Sequence, residues 1–178
     1  KALDVLGPET KTLTLQMFDY ASECQFDTCN ADYLIHYASP TSSKYFIERP
    51  VETMNISYEG TKSVLEYTRF NKLTSMVFAS SLEVYGVVTN DEKPLTEDMQ
   101  GYINPSDIRS SYPMAKRAAE CLCSSYASEY GVPVKIARFA QTFGAGVAPE
   151  DTRVFAHFAR CIINNENIEL NTKGELCR

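Results

Sequence analysis

The chain has 178 residues, 44% of them hydrophobic and 22% charged, with 8 Gly and 8 Pro. That composition suits a folded globule and excludes a disordered, collagen-like or low-complexity chain. The 17 basic and 23 acidic residues leave a net charge of −6, which argues against phosphate-backbone recognition as the main role, because nucleic-acid sites need a basic face. The longest apolar runs, such as 132–136 with Lys135 inside it, are too short to cross a bilayer. The opening residues 1–4 carry no apolar signal core. No membrane association and a cytoplasmic location are therefore expected. The six cysteines, at 24, 29, 121, 123, 161 and 177, are expected to be free thiols. The Cys121-x-Cys123 spacing is not that of a zinc knuckle, and His36 and His157 are the only imidazoles, so no metal site is expected.

In chain order, residues 12–18 read as a strand rich in Thr, Leu and Phe, and 32–37 as a second short apolar strand. A helix follows, with Val51, Met54, Tyr58, Thr61, Leu65 and Thr68 at spacings of three and four. Residues 75–79 form a strand apolar on both faces. The polar stretch 86–107, with Pro94, Gly101 and Pro105, reads as a long ordered loop or lid, and such loops tend to be functional. A second long helix spans 111–130. Its buried face is Tyr112, Ala115, Ala119, Leu122, Tyr126 and Tyr130, Gly131 caps it, and Pro133 blocks extension. A strand at 134–137, a turn at Gly144 and Gly146, a helix at 152–164 and a short strand at 168–170 complete the chain. Strands alternating with helices predict an α/β fold with a parallel sheet covered on both sides. Both long helices are expected on the same side of it.

A doubly wound nucleotide-binding sheet opens with a strand and a Gly-rich turn at a helix N-terminus. No G-x-G-x-x-G is present, and Gly144-Ala-Gly146 is the nearest approach. The element order is nonetheless that of the middle of such a fold. The chain is expected to be an internal segment lacking roughly two βα units, on the order of 60 residues, before Lys1.

Tyr112 and Lys116 open the second long helix four residues apart, which puts phenol and ammonium on one face, one turn apart. A phenol of ordinary pKa is a poor base at neutral pH, and an adjacent cation favours its phenolate. Upstream, the run Ala79, Ser80, Ser81, Leu82, Glu83, Val84, Tyr85, Gly86 leaves a buried strand. Hydroxyls at the carboxyl end of a parallel strand face the ligand crevice. A serine there can bond the same substrate hydroxyl that Tyr112 deprotonates.

These residues together resemble the extended short-chain dehydrogenase/reductase family of NAD-dependent nucleotide-sugar epimerases, dehydratases and decarboxylases. His36 to Pro40 is similar to the family's H-x-A segment, and Asn55 with Gly60 and Thr61 to the helix motif after it. Ser81 stands at the catalytic hydroxyl position, and Tyr112 and Lys116 match the catalytic pair. Arg138, Thr142, Phe143 and Gly144 resemble the strand and turn leading to the sugar nucleotide. The resemblance implies a Rossmann-like doubly wound sheet, with 1–143 belonging to the NAD-binding domain and 144–178 opening the substrate-binding region. It implies Ser81, Glu83, Tyr112 and Lys116 as catalytic residues. Asp19, Ala38, Ser39, Asn55, Ser80, Tyr112, Lys116 and Phe139 would line NAD, and Ser81, Gln141 and Arg178 would touch a nucleotide-sugar substrate. It also implies a homodimer through helices 51–70 and 111–130, where small residues such as Ala118, Cys121 and Ser125 permit close approach.

Within the family the likeness is closest to the UDP-glucuronate decarboxylases, with two departures. Leu82 replaces the middle Ser of their T-S-E motif, and the 4,6-dehydratases need an Asp there. Gln141 stands where the family usually has Asn. A 4-epimerase needs only the Ser81, Tyr112 and Lys116 core, so 4-epimerisation is the favoured outcome. Decarboxylation and 4,6-dehydration are the alternatives. A non-catalytic nucleotide-binding protein on the same fold is disfavoured by the complete catalytic set.

Overall fold

The computed structural model describes residues 31–88, 94–142, 144, 146–148, 150, 151 and 153–170. The chain divides between Ala140 and Gln141 into two compact units. In the first, β1 (Tyr33–His36), β2 (Ser75–Ser81) and β3 (Val134–Phe139) form one parallel sheet in the order β1-β2-β3. The strand expected at 12–18 lies outside the described residues. Both β2 and β3 run two residues beyond their apolar stretches, pairing Ser80 with Arg138 and Ser81 with Phe139. The polar Ser80, Ser81 and Arg138 interrupt the sequence pattern there, but the backbone ladder continues.

Parallel strands need a crossover. The first contains α1 (Ser43–Glu48) and α2 (Pro50–Phe70), which starts on a proline at its first position, where the missing N–H costs no helical bond. The second contains α3 (Ser111–Tyr130), which stops at Gly131, a left-handed residue with φ 69°. Val64 and Leu65 of α2, Met76 and Phe78 of β2, Ala119, Cys123 and Tyr126 of α3, and Val132 form one core. Both long helices thus pack on the same sheet face, as the sequence predicts. The sequence predicts cover on both faces; among the described residues of the first unit, helices cover one, and Tyr33 and Ile35 of β1 are 71% and 63% exposed.

The inward face of α2 differs from the stripe read in sequence. Thr61, Leu65 and Thr68 are buried, but Val51, Met54 and Tyr58 are exposed, and Thr53 and Ser57 take the inward positions. A repeat of 3.5 residues drifts around a helix of 3.6 per turn. The hydroxyls make this cheap, because they bond carbonyls of their own helix: Thr53 to Arg49 O at 2.8 Å, Thr61 to Ser57 O at 2.6 Å, and Thr68 to Val64 O at 2.8 Å. On α3, Tyr112, Ala115, Ala119 and Tyr126 are buried as expected, while Tyr130 is exposed.

After β2 a short 3₁₀ turn (Leu82–Tyr85) leads into the long loop, which folds back through a bridge between Val87 and Tyr102. Gly86 at φ 65° and Gly101 permit that approach. A Cβ on Gly86 would lie 2.6 Å from Tyr102 O, and one on Gly101 2.3 Å from Val87 O. Arg117 of α3 fastens the loop, donating to Val84 O at 2.6 Å and Gly101 O at 2.8 Å.

In the second unit, α4 (Val154–Asn164) buries Ala156 and Cys161 and ends on Asn165 at φ 57°. The strand expected at 168–170 is irregular and exposed, with no pairing partner among the described residues. Alternation over three residues is too short to specify a strand without a neighbour. Cys121, Cys123 and Cys161 are free thiols, and no described helix is long and apolar enough to cross a membrane.

Candidate active site

Side chains alternate along β2, so its last two serines point opposite ways. Ser80 is buried and donates to Glu120 Oε1 of α3 at 2.5 Å. Ser81 is half-buried, and its Oγ accepts the Glu83 N–H at 3.3 Å, capping the 3₁₀ turn. A second 3₁₀ turn (Ile108–Ser110) delivers the chain into α3, its entry fixed by the Arg109 N–H donating to Asp107 Oδ1 at 2.9 Å. Ser111 Oγ donates to Phe46 O at 3.2 Å, tying the start of α3 to α1. The Phe46 ring stacks on Tyr112, with centroids 4.1 Å apart and planes within 7°. The Ser81 hydroxyl lies near enough to the Tyr112 phenol to favour its ionised form.

Lys116 lies one turn further along, 3% exposed. Its Nζ donates to Ala79 O at 2.9 Å and sits 4.8 Å from the Phe78 ring centre and 5.9 Å from that of Tyr112. Ser81, Tyr112 and Lys116 are therefore brought together at the carboxyl end of β2. Glu83 lies beside them, held by Arg109 Nη2 at 2.9 Å.

Burial raises the Tyr112 phenol above its ordinary pKa, the Ser81 hydroxyl draws it back, the Glu83 carboxylate pushes it up and the Arg109 guanidinium pulls it down. Burial lowers the Lys116 ammonium to about 8, against the opposing pull of Cys123 and Glu120. His36, which faces Thr61 Oγ1 at 3.1 Å, is lowered to about 4 by burial and then by the Lys116 charge. Between its ordinary value of 6.5 and about 4, the unfolded chain binds a proton that the folded chain refuses. Stability therefore falls as pH drops through that window, this group contributing at most about 3 kcal/mol. His36→Gln in the full-length protein should flatten that limb of a urea-midpoint-against-pH curve. An unchanged limb would show that other groups set it.

The other sequence-predicted positions separate clearly. Ala38 and Ser39 follow β1 directly, at the same end of the sheet, and Ser39 Oγ lies 3.4 Å from Ser57 Oγ. Asn55 is exposed on the outer side of α2, so the α2 side chain that reaches the 38–39 segment is Ser57. Ser80 spends its hydroxyl on Glu120 and is turned away from the Ser81 side of the strand. Phe139 ends β3, 40% exposed, its ring 5.6 Å from that of Tyr37. Gln141 is exposed and belongs to the second unit. Asp19 and Arg178 lie outside the described residues.

Sequence reasoning missed Phe46 and Arg109, whose neighbours are distant in the chain, and Glu120, which the four-residue spacing 112–116–120 would have flagged. Arg138 donates to Glu120 through Nε at 3.0 Å and Nη2 at 2.7 Å.

The chemistry of Lys116 suits a bound dinucleotide. Ala79 O takes one of three ammonium protons, and among the described residues no carboxylate forms an ion pair with it. Its remaining donors can serve ribose hydroxyls.

Ser81, Tyr112 and Lys116 stand at the carboxyl end of a strand in a parallel α/β sheet, the edge at which such sheets bind ligands. The chain belongs to the NAD dependent epimerase/dehydratase family, whose model matches residues 10–178. It is 31% identical over 147 residues to UDP-glucuronic acid decarboxylase 1 of Xenopus tropicalis, covering 83% of this chain and 34% of that protein. The chain thus spans about a third of that relative's length. Among solved structures it is similar to RMD from Pseudomonas aeruginosa complexed with NADPH, with a TM-score of 0.65, 27% identity, and coverage of 75% of this chain and 43% of the other. It is also similar to the UDP-glucose 4-epimerase of Thermus thermophilus in complex with NAD, with a TM-score of 0.66, 25% identity, and coverage of 78% and 43%.

Proposed function

We propose that the full-length protein oxidises a nucleotide-activated hexose or hexuronate transiently at C4 and returns the hydride, with 4-epimerisation as the outcome. The convergence of Ser81, Tyr112 and Lys116 carries this reading. Tyr112 takes the C4 hydroxyl proton as the carbonyl forms, and Ser81 orients that hydroxyl through its own hydrogen bond. Lys116 holds ribose hydroxyls and places a cation near the phenolate as it develops. Bound NAD supplies the hydride acceptor and later the donor. Ala38, Ser39 and Phe139 would line it at the ends of β1 and β3. Asp19 would meet its adenosine half, and Gln141 and Arg178 the substrate.

Leu82 supports epimerisation, because its side chain has no proton to give or take beside the reacting sugar. Decarboxylation of a UDP-hexuronate is the second reading, favoured by the named activity of the 31% identical relative and by the carboxylate of Glu83 beside Tyr112. A homodimer is part of the proposal, through the outward sides of α2 and α3. Val51 and Met54 there are 71% and 44% exposed, and Ala118, Cys121 and Ser125 are exposed as well. A cytoplasmic location, where nucleotide sugars and free thiols coexist, completes it.

The test is a product assay of the full-length protein on UDP-glucose and UDP-glucuronate. The expected result is the 4-epimer, with no net NADH and little CO2. Leu82→Ser should raise CO2 release from the hexuronate. Fast CO2 release by the unaltered protein would replace epimerisation with the second reading. Steady NADH accumulation would defeat both.

A further inference from the structure

Tyr112 is flanked on two sides by groups that share one neighbour. Glu83, from the turn after β2, receives Arg109 Nη2 at 2.9 Å. Phe46, from α1, stacks on Tyr112 at 4.1 Å, and the Arg109 guanidinium carbon lies 5.0 Å from that ring's centre. Three segments distant in sequence thus meet at one side chain, whose backbone is itself pinned to Asp107. We infer that Arg109 is a positioning residue: it clamps Glu83 and the Phe46 ring beside Tyr112, so that the phenol faces a neutralised pair instead of a bare carboxylate. The inference rests on the proposed use of Tyr112 as the base.

Its stability role is small. The side chains of Arg109 and Glu83 are 34% and 26% exposed, and ion pairs so accessible add little to folding. Its electrostatic role is exerted on Tyr112, where it opposes the Glu83 carboxylate. A phenol must lose its proton to act as a base, and a carboxylate nearby opposes that. The groups facing Tyr112 are Ser81 and Glu83 from the strand end and turn, Arg109 from the second 3₁₀ turn, Lys116 from its own helix and the uncharged Phe46 from α1. Within that set only Arg109 is placed to cancel Glu83. The planar guanidinium also suits both jobs, pairing a carboxylate at its edge and lying against an aromatic ring.

The test reads the phenol directly and needs no substrate. The full-length protein is labelled with tyrosine carrying 13C at Cζ, the Tyr112 signal is assigned by its loss in Tyr112→Phe, and its titration midpoint is followed by NMR. Arg109→Gln should raise the midpoint by about one unit. Glu83→Gln should lower it, and the double variant should return it to near the original value. Arg109→Lys keeps the charge without the fork and should fall between the original protein and Arg109→Gln. A midpoint unmoved in Arg109→Gln overturns the inference, as does a double variant no lower than Arg109→Gln alone. Turnover on nucleotide sugars is measured in parallel. If the titration order holds without turnover, the clamp stands and the proposed reaction falls. If turnover is present and the order fails, the reverse holds.

Discussion

Tyr112→Phe should lower kcat of the full-length protein by about 10²–10⁴-fold, the range for a lost general base. In the proposed reaction the phenol takes the C4 hydroxyl proton. Ser81 ends β2 with a hydroxyl that lies near the phenol and accepts the Glu83 N–H, and an aliphatic hydroxyl is a far weaker acid than a phenol. Lys116 directs a proton at Ala79 O. The substitution removes one oxygen and keeps the ring, so the 4.1 Å stack on Phe46 persists and folding should change little. NAD affinity should persist too, because Lys116 and the β1 end are untouched. A variant retaining more than a tenth of the original kcat would exclude Tyr112 as the base.

The largest stability loss is expected at Glu120. Its carboxylate accepts Ser80 Oγ at 2.5 Å and two nitrogens of Arg138 at 3.0 and 2.7 Å, with side chains only 10% and 22% exposed. Arg138 spans further, donating to Glu97 O at 2.7 Å and lying 4.8 Å from the centre of the Tyr85 ring. Removing one partner of a fully buried pair typically costs about 3–5 kcal/mol, and the partial exposure of Arg138 and its bond to Glu97 O place this loss below that range. Glu120→Ala should therefore shift the urea midpoint strongly downward. Glu120→Gln, which keeps an acceptor, should do less. The more exposed Arg109 and Glu83 pair should shift it by about 1 kcal/mol or less. Equal shifts at both pairs would contradict this ranking.

Local signals carried much of this architecture. The spacing of four between Tyr112 and Lys116 and the exit of Ser81 from an apolar strand are short-range features, and they place the three groups without knowledge of the rest. Gly131 likewise marks the end of α3 by its own backbone preference. What sequence patterns missed is long-range or masked by chemistry. Phe46 stacks on a ring 66 positions away, a separation for which no local pattern exists. Apolar residues drew the predicted α2 face toward Val51, Met54 and Tyr58, whereas the helix buries hydroxyls that satisfy themselves. At 168–170, apolar identity suggested a strand that has no partner to pair with among the described residues.

That hydroxyl stripe sets different tolerances for change along a single helix. Among the described residues, Thr53 Oγ1 serves only the carbonyl of Arg49, which already accepts the Thr53 N–H, so valine of nearly equal shape should be accepted there. Thr61 meets both Ser57 O and the His36 imidazole, and Ser57 also faces Ser39 at the end of β1. Valine at 61 would strand a buried imidazole nitrogen, and alanine at 57 would remove the hydroxyl facing Ser39. As the sequence varies, the first turn of α2 is free to become more oily, whereas the two turns beside the sheet edge must stay polar inside.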